Sequence, residues 1–200
     1  MKIYLIRHGQ TEWNKEERFQ GQKNSNLTNK GINQAQELGA FFKDNNIKFG
    51  KIFCSPLGRT RQTAAYLDLE ANIVYDKRLM EISLGRWEGE KYSAIKNFSE
   101  KLDYAFWNEP LKFIDESAET YKELCDRLID FFNDVCETIK SEESILVISH
   151  GAVIRTIYSF FEFGRLDNIP FRKVPSSGTY SLVEYNKTKG FKVINYERYI

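Results

Sequence analysis

The sequence predicts an α/β domain with a mostly parallel sheet, and two of its features indicate this fold class. Short apolar segments alternate with longer segments of helical periodicity along most of the chain, which is the pattern of strands joined by helices. Two of the apolar segments, at residues 2–7 and 144–149, lead into a histidine that is followed by a glycine. Open α/β sheets bind ligands at the carboxyl ends of their strands, so we expect a functional site where these two segments end.

The composition is typical of a folded, water-exposed domain. The chain has 200 residues, of which 42% are hydrophobic and 14% aromatic, which suits one domain with a sizeable core. The formal net charge of +1 gives no excess of positive charge for binding nucleic acid or an anionic membrane. No apolar segment approaches the length of a membrane span. We therefore expect neither of these partners, and a monomer or homodimer.

Cysteine usage and the amino terminus indicate the compartment. The three cysteines, Cys54, Cys125 and Cys136, are scattered and form no Cys-x-x-Cys pair, as expected of reduced thiols. The short apolar run at the start is interrupted by charge before it reaches the length of a signal peptide. The sequence therefore predicts a cytoplasmic protein.

The first strand, residues 2–7, ends in Arg7-His8-Gly9. A cation fixed beside an imidazole suits attack on a phosphate, with Arg7 binding the dianion and His8 supplying a nitrogen nucleophile. The glycine lets the backbone approach a ligand closely, because it has no Cβ. The alternative for these residues alone is a strand end with two solvated polar side chains.

A second helical segment carries a candidate phosphate ligand. After a loop at 15–26, a helix capped by Thr28 and a strand at 51–54, Ser55-Pro56 has the pattern of a helix start, with serine as the cap. This places Arg59 in the first helical turn, near backbone N–H groups that favour anions. The alternative is an arginine on a solvated helix surface.

Two glutamates compete for the role of general acid. These are Glu81 and Glu88, which both follow a short strand at 73–75. The apolar residues Leu79, Ile82 and Leu84 around Glu81 would desolvate its carboxyl, which favours Glu81 on chemical grounds. Glu88 stays the competing candidate at this point. The alternative for Glu81 is an exposed loop position.

The second half of the chain repeats the opening pattern. A charged and aromatic segment, which we place at about 90–117, is predicted to form one or two short helices over the site as a lid, or else a surface insertion. A helix at 118–140, the strand at 144–149, a helix at 152–161 and a hairpin of 178–185 with 191–196 follow. His150 and Gly151 stand at the end of the second strand as His8 and Gly9 do at the first.

Four segments carry a resemblance to a known family. Arg7-His8-Gly9-Gln10-Thr11-Glu12-Trp13-Asn14 resembles the opening motif of the histidine phosphatase superfamily, the phosphoglycerate mutase-like proteins. The segments at 54–64, 79–89 and 147–151 resemble its Ser-x-Leu-x-Arg, Leu-x-Glu and Val-x-His-Gly motifs. Asp115-Glu116-Ser117 departs from the family's Gly-Gly-Glu-Ser, because both glycines are missing. The resemblance implies one domain over residues 1–200, with a three-layer α/β/α architecture and a mixed, mostly parallel sheet.

The resemblance also implies a site and a reaction. The catalytic residues would be His8 as the nucleophile that becomes phosphohistidine, Glu81 as general acid and base, and Arg7, Arg59 and His150 as neutralising groups for the phosphate oxygens. The substrate-binding residues would be Asn14, Gln20, Gly21 and Gly151. Neither a metal nor a cofactor is expected.

Three functions fit this reading. We expect a metal-independent phosphomonoesterase that acts on a small phosphorylated metabolite. The alternative is a cofactor-dependent phosphoglycerate mutase, but those proteins are longer and carry basic residues after the acidic motif, whereas this chain has only Lys91, Lys96, Lys101 and Lys112 there. An inactive phosphate-binding module is the third reading, although none of His8, Arg59, Glu81 and His150 is substituted.

Overall fold

One mixed sheet forms the centre of the molecule. The computed structural model describes residues 1–139, 143–164, 166 and 174–199. The sheet has the order β3-β2-β4-β1-β5-β6 and is formed by β1 (Lys2–Arg7), β2 (Lys51–Cys54), β3 (Ile73–Tyr75), β4 (Ser144–Ser149), β5 (Thr179–Asn186) and β6 (Gly190–Tyr199).

The four strands on one side of the sheet are parallel. β4 lies between β1 and β2 and pairs in parallel with both, and β3 pairs in parallel with β2. The carboxyl-terminal hairpin, β5 and β6, adds antiparallel strands next to β1. The predicted mixed, mostly parallel sheet is therefore confirmed, and the carboxyl ends of β1, β2 and β4 lie at one edge.

Helices cover both faces of this sheet. In chain order they are α1 (Glu12–Lys15), α2 (Asn29–Asp44), α3 (Gly58–Leu67), α4 (Ser93–Phe98), α5 (Glu100–Asn108), α6 (Tyr121–Thr138) and α7 (Gly151–Phe163). Successive side chains of a strand point to opposite faces, so Tyr4 and Ile6 pack with α2 and α3, while Ile3 and Leu5 pack with α6 and α7. The three-layer α/β/α architecture follows from this alternation.

Two helix starts differ from the predicted ones. α3 begins at Gly58 with Leu57 at its N-cap, so the prediction that Ser55 caps this helix was wrong. The Ser55 hydroxyl instead lies 2.7 Å from a ring nitrogen of His150. α6 begins at Tyr121 because Thr120 forms a capping box there, and its predicted end at residue 140 lies outside the described residues.

The charged and aromatic segment after the acidic motif contains α4, α5 and a turn of 3-10 helix at Pro110–Lys112. Its rings pack against Phe19, which lies 5.1 Å from Phe106 and 4.7 Å from Tyr92 between centroids. The segment therefore borders the loop that follows β1, and its action as a lid stays a prediction. Among the described helices, none combines the length and apolar composition needed to cross a bilayer.

Candidate active site

Neighbouring strand ends bring two histidines together. In the parallel pairing of β1 with β4, Arg7 lies opposite Ser149, and the next residues along the two strands are His8 and His150. The backbone N–H of His8 donates to the carbonyl of Ser149 at 3.0 Å, which continues the ladder by one residue. The two imidazole rings consequently lie 5.3 Å apart, centroid to centroid.

The His8 ring has a defined tautomer. Its Nδ1 lies 2.8 Å from the carbonyl oxygen of Gly9, and because a carbonyl can only accept, Nδ1 carries the proton. Burial, with the positive charges of Arg59 and Arg7, holds the pKa of His8 well below its usual value of 6.5. The ring is therefore neutral at physiological pH, and its Nε2 keeps a lone pair.

Arg59 is a buried cation held in a fixed orientation. Its side chain is completely buried, and its Nη1 and Nη2 donate to the carbonyls of Lys23 and Gly21 at 2.7 and 2.8 Å. The loop carrying those carbonyls is itself tied to the start of α3, because the Asn24 side chain accepts from the Arg59 backbone N–H. Burial lowers the pKa of Arg59 to about 10, and nearby Glu81 opposes this, so the guanidinium stays charged at neutral pH.

His150 lies between Arg59 and the end of β2. Its Nδ1 accepts a hydrogen bond from Arg59 Nε, so the ring proton is on Nε2, which donates to the Ser55 hydroxyl at 2.7 Å. Burial and the charge of Arg59 hold the pKa of His150 well below its usual range. Both ring nitrogens are thus bonded within the protein, and a direct contact of His150 with a substrate phosphate stays a prediction.

Arg7 has an unsatisfied donor. Its Nη1 donates to the carbonyl of Pro175 at 3.1 Å, but its buried Nε has no hydrogen-bond partner among the described residues. Burial lowers the pKa of this guanidinium, with Glu81 opposing the shift. Gly151 borders it, and a Cβ there would meet Arg7 Cζ at an ordinary contact distance of 3.6 Å but would crowd a methyl of Val174 at 2.8 Å. A buried N–H without an acceptor is costly, and an anion would satisfy it.

Glu81 lies at the amino terminus of α7. Its two carboxylate oxygens accept from the backbone N–H groups of Ile82 at 3.1 Å and Ala152 at 3.3 Å. The apolar neighbours Leu79, Ile82 and Leu84 are almost fully buried, whereas Glu81 itself is only partly buried. The Glu81 carboxylate therefore lies at the rim of the cavity, where the helix terminus stabilises it.

The backbone of Glu81 is anchored from α6. Arg127 Nη2 donates to the Glu81 carbonyl at 3.2 Å, and its Nε pairs with Glu119 at 2.6 Å. The Glu119 carboxylate in turn accepts from the Ser83 backbone N–H. These contacts hold the loop that carries Glu81. They could not be predicted from the sequence, because the two that reach this loop join positions 36 and 46 residues apart.

Glu88 has a different environment from Glu81. Its carboxylate accepts backbone N–H bonds from Gln22 at 2.9 Å, Lys23 at 3.2 Å and Leu84 at 3.0 Å. Gly21, with φ of +50°, approaches it so closely that a Cβ would lie 2.2 Å from a Glu88 oxygen. Glu88 therefore joins two loops and stabilises the turn.

Asn14 and Gln20 contribute amide groups to the same site. Asn14 Oδ1 accepts from both the backbone N–H and the hydroxyl of Thr11 at 3.1 Å, which fixes its amide group. Gln20 is buried, and its Oε1 accepts from Ser25 at 3.3 Å. In both side chains the carbonyl oxygen is engaged, so the NH2 group is the part left to bind an acceptor.

A cavity of about 130 Å³ brings most of the predicted site residues together. Its lining includes Arg7, His8, Asn14, Gln20, Gly21, Arg59, Glu81 and Gly151. His150 stands behind Arg59, outside this lining. A more open cleft of about 910 Å³ adjoins the cavity and shares Arg7, Asn14 and Tyr92 with it.

The cavity also includes residues that the sequence reading did not assign to the site. Among them are Arg18, Tyr121 and Arg155, while the rings from α5 belong to the segment that was predicted to lie over the site. Arg155 lies four residues after Gly151, so the two residues share a face of α7. This spacing could have indicated from the sequence that Arg155 lies near the site. Tyr121 is the first residue of α6, and burial raises its pKa to about 12. In the described ranges, no three or more His, Cys, Asp or Glu side chains are grouped as a metal site.

Comparison with known proteins gives similar relatives over most of the chain. A protein named "Probable phosphoglycerate mutase GpmB" from Escherichia coli O1:K1 is 32% identical over 161 residues, covering 80% of this chain and 74% of that protein. The structure of Bacillus stearothermophilus YhfR superposes with a TM-score of 0.90 at 28% identity, covering 97% of this chain and 95% of that one. The alpha-ribazole phosphatase from Shigella flexneri superposes with a TM-score of 0.81 at 25% identity, covering 98% and 96%.

The family comparison covers nearly the whole chain. The family model described as "Histidine phosphatase superfamily (branch 1)" matches residues 3–196. The motif resemblance found in the sequence is therefore confirmed. The chain belongs to branch 1 of the histidine phosphatase superfamily.

Proposed function

We propose that this protein is a metal-independent phosphomonoesterase that hydrolyses a small phosphorylated metabolite through a phosphohistidine on His8. The observation that carries the proposal is the tautomer of His8, whose protonated Nδ1 is bound to the Gly9 carbonyl. This leaves an uncharged Nε2 in a cavity that is also lined by the Arg7 and Arg59 guanidinium groups and by the Glu81 carboxylate. A neutral imidazole among fixed cations is the arrangement that nucleophilic attack on a phosphate dianion requires.

In the first step, His8 Nε2 attacks phosphorus in line with the ester oxygen, and the phosphorus–oxygen bond breaks as the nitrogen–phosphorus bond forms. Arg7 and Arg59 bind the equatorial oxygens, and the unpartnered Nε of Arg7 supplies one of those hydrogen bonds. Glu81 donates a proton to the leaving alkoxide. The alcohol departs, and the phosphoryl group remains on His8.

In the second step, the Glu81 carboxylate removes a proton from water, whose oxygen attacks the phosphohistidine. The nitrogen–phosphorus bond breaks, inorganic phosphate forms, and Nε2 regains its lone pair. Glu81 ends protonated, ready to act as acid again. This cycle needs one group that acts first as acid and then as base, and Glu81 is the carboxylate that shares the cavity with His8.

The exposed positions of the lysines after the acidic motif favour hydrolysis over mutase activity. A mutase must hold a bisphosphorylated intermediate, which needs a second cluster of cations near the first phosphate. Lys91, Lys96, Lys101 and Lys112 are all exposed, and none lines the cavity. The same segment contributes aromatic rings to the cavity instead. Isomerisation is the second candidate function, because the E. coli relative is named a probable phosphoglycerate mutase.

The test is turnover in EDTA of a panel of phosphate esters, by the wild-type protein and by His8→Ala, with isomerisation of 3-phosphoglycerate assayed in parallel. We expect phosphate release that EDTA does not change and that His8→Ala abolishes while thermal unfolding stays cooperative. Isomerisation that depends on bisphosphoglycerate, with little phosphate release, would support the mutase. Release that needs a metal or survives His8→Ala would contradict the proposal, as would binding of phosphate esters without turnover.

A further inference from the structure

Two recesses meet at the predicted phosphate position, and they differ in chemistry. The larger cleft, next to α2, is lined mainly by polar side chains such as Lys30, Asn33 and Glu37. The smaller cavity has a wall of aromatic and aliphatic side chains, which are Phe19, Ile82, Leu84, Tyr92, Phe106 and Trp107. A substrate's alcohol group could occupy either one, so the position of the general acid decides between them.

The acid lines only the smaller cavity. Glu81 is among its lining residues and is absent from the described lining of the polar cleft. A general acid must lie within hydrogen-bond reach of the oxygen that it protonates, so the leaving oxygen must lie on the Glu81 side. In-line attack by His8 then directs the rest of the alcohol away from His8, along the aromatic wall.

Resting on the proposed hydrolysis, we infer that the preferred substrates are phosphate monoesters of uncharged, ring-bearing alcohols, and that Trp107 is a specificity-determining residue. The aromatic wall is continuous, because Phe106 and Trp107 lie 4.8 Å apart and Tyr92 lies 5.8 Å from Trp107, between centroids. Trp107 is 44% exposed at the edge of this wall, which leaves ring area for a ligand to cover. Aromatic pairs in edge-to-face or offset geometry add affinity beyond the area that they bury.

The cations near this wall already have protein partners. Arg18 donates to Glu16 at 2.6 Å and to the carbonyl of Gly89 at 2.8 Å. Arg155 also has an interaction partner within the protein. Asn14 and Gln20 line the same cavity, and their amide groups are assigned to the phosphate. The wall therefore offers ring faces more than it offers hydrogen bonds, which favours an apolar ring over a polyhydroxylated or carboxylated alcohol.

The test compares 2-phenylethyl phosphate with glycerol 3-phosphate and 3-phosphoglycerate. All three release an aliphatic alcohol, so differences in kcat/KM report on recognition more than on the acidity of the leaving group. We expect kcat/KM for 2-phenylethyl phosphate to exceed the other two by about tenfold or more, since burial of a ring is worth at least that factor. Glycerol 3-phosphate or 3-phosphoglycerate as the best substrate would overturn the inference, and the second result would indicate that Arg18 and Arg155 recognise a carboxylate.

Variants separate recognition from folding. Trp107→Ala should lower the ratio of kcat/KM for 2-phenylethyl phosphate to that for glycerol 3-phosphate by about fivefold to tenfold. Tyr104→Ala is the matched control, because Tyr104 is an aromatic residue on the same helix, 59% exposed and outside the cavity lining. It should leave the ratio unchanged. An unchanged ratio in Trp107→Ala, or an equal loss in Tyr104→Ala, would contradict the role of Trp107.

The failure of this inference can be distinguished from the failure of the proposed function. If the wild-type protein hydrolyses none of the esters, phosphatase activity itself is contradicted. If it hydrolyses them in EDTA without preferring the ring-bearing one, only the substrate class is wrong. Inhibition by the product alcohols adds a second readout, in which 2-phenylethanol should inhibit at a lower concentration than glycerol.

Discussion

Arg59 Nε donates a hydrogen bond to His150 Nδ1 at 3.1 Å, and both side chains are completely buried. The bond fixes two properties at once. It holds the guanidinium beside His8, and it makes Nδ1 of His150 an acceptor, so that the proton of this second histidine must be on Nε2. His150 is therefore neutral in this structure and positions the cation on which the candidate site depends.

Ser55→Ala tests this arrangement. The Ser55 hydroxyl accepts from His150 Nε2, and its removal would leave a buried N–H without an acceptor. We expect the free energy of unfolding to fall by about 2 kcal/mol and phosphatase kcat to fall because Arg59 loses its support. Urea unfolding with Ser93→Ala as control, an exposed serine at the start of α4, should show a change below about 0.5 kcal/mol for the control. Equal stability of the two variants would contradict the network.

The two histidines should make stability depend on pH between about 7 and about 5.5. The pKa values of His8 and His150 are both held well below 6.5 in the folded protein. In the unfolded chain they protonate below about 6.5, so the unfolded state binds more protons and stability falls as pH falls. We expect a loss of roughly 2 kcal/mol over this interval.

Denaturant unfolding at several pH values measures this effect. The chain has only two histidines, so the interval is free of other imidazoles. The variant His8→Asn should show about half of the pH dependence, because one of the two titrating groups is gone. A free energy of unfolding that does not change between these pH values would show that the histidines are not buried as neutral groups.

Arg127→Gln should slow catalysis without weakening substrate binding to the same extent. Its guanidinium holds the backbone of Glu81 and pairs with Glu119, so its loss would displace the general acid but leave the phosphate ligands in place. We expect kcat to fall roughly tenfold or more, with KM changed less. The control is Lys122→Gln, which removes an exposed ion pair with Asp126 on the same helix. An increase in KM without a fall in kcat in Arg127→Gln would argue against a positioning role.

Gly21→Ala should destabilise the loop around Arg59. The residue has φ of +50°, and a Cβ would lie 2.2 Å from a carboxylate oxygen of Glu88. Gly190→Ala is the matched control, because Gly190 has φ of +73° and no atom of the described residues lies within 4 Å of the added Cβ. We expect the control to cost about 1 kcal/mol from its backbone conformation and Gly21→Ala to cost about 2 kcal/mol more from the clash. Thermal or urea unfolding compares them, and equal costs would contradict the close approach of Glu88.

Local pattern was enough to predict the strand ends but not the contacts made around them. The residues after β1 and β4 could be predicted because the apolar run of a strand that is buried on both faces ends where polar residues begin, and parallel strands then place His8 near His150. Ser55 shows the limit of local reasoning. Its sequence favours a helix cap, but a partner 95 residues away binds its hydroxyl.

The residues that position the site could also not be predicted from the sequence. Arg127 acts through the backbone of Glu81, and nothing in its helical neighbours distinguishes it from a surface arginine. The one-turn helix α1 was missed because it depends on the capping box between Thr11 and Asn14 instead of on apolar periodicity. In each case the deciding contact is made by a polar side chain, for which hydrophobic patterning carries no signal.

The measurement that tests the account most directly is the identity of the residue that carries the phosphoryl group during turnover. The wild-type protein is mixed with a phosphate ester in EDTA, quenched in alkali within milliseconds to seconds, and digested for mass spectrometry. We predict a base-stable, acid-labile phosphoryl group on the peptide that contains His8, and its absence in His8→Ala. Turnover without any phosphorylated peptide, or a phosphoryl group on His150 or on a hydroxyl side chain, would contradict His8 as the nucleophile.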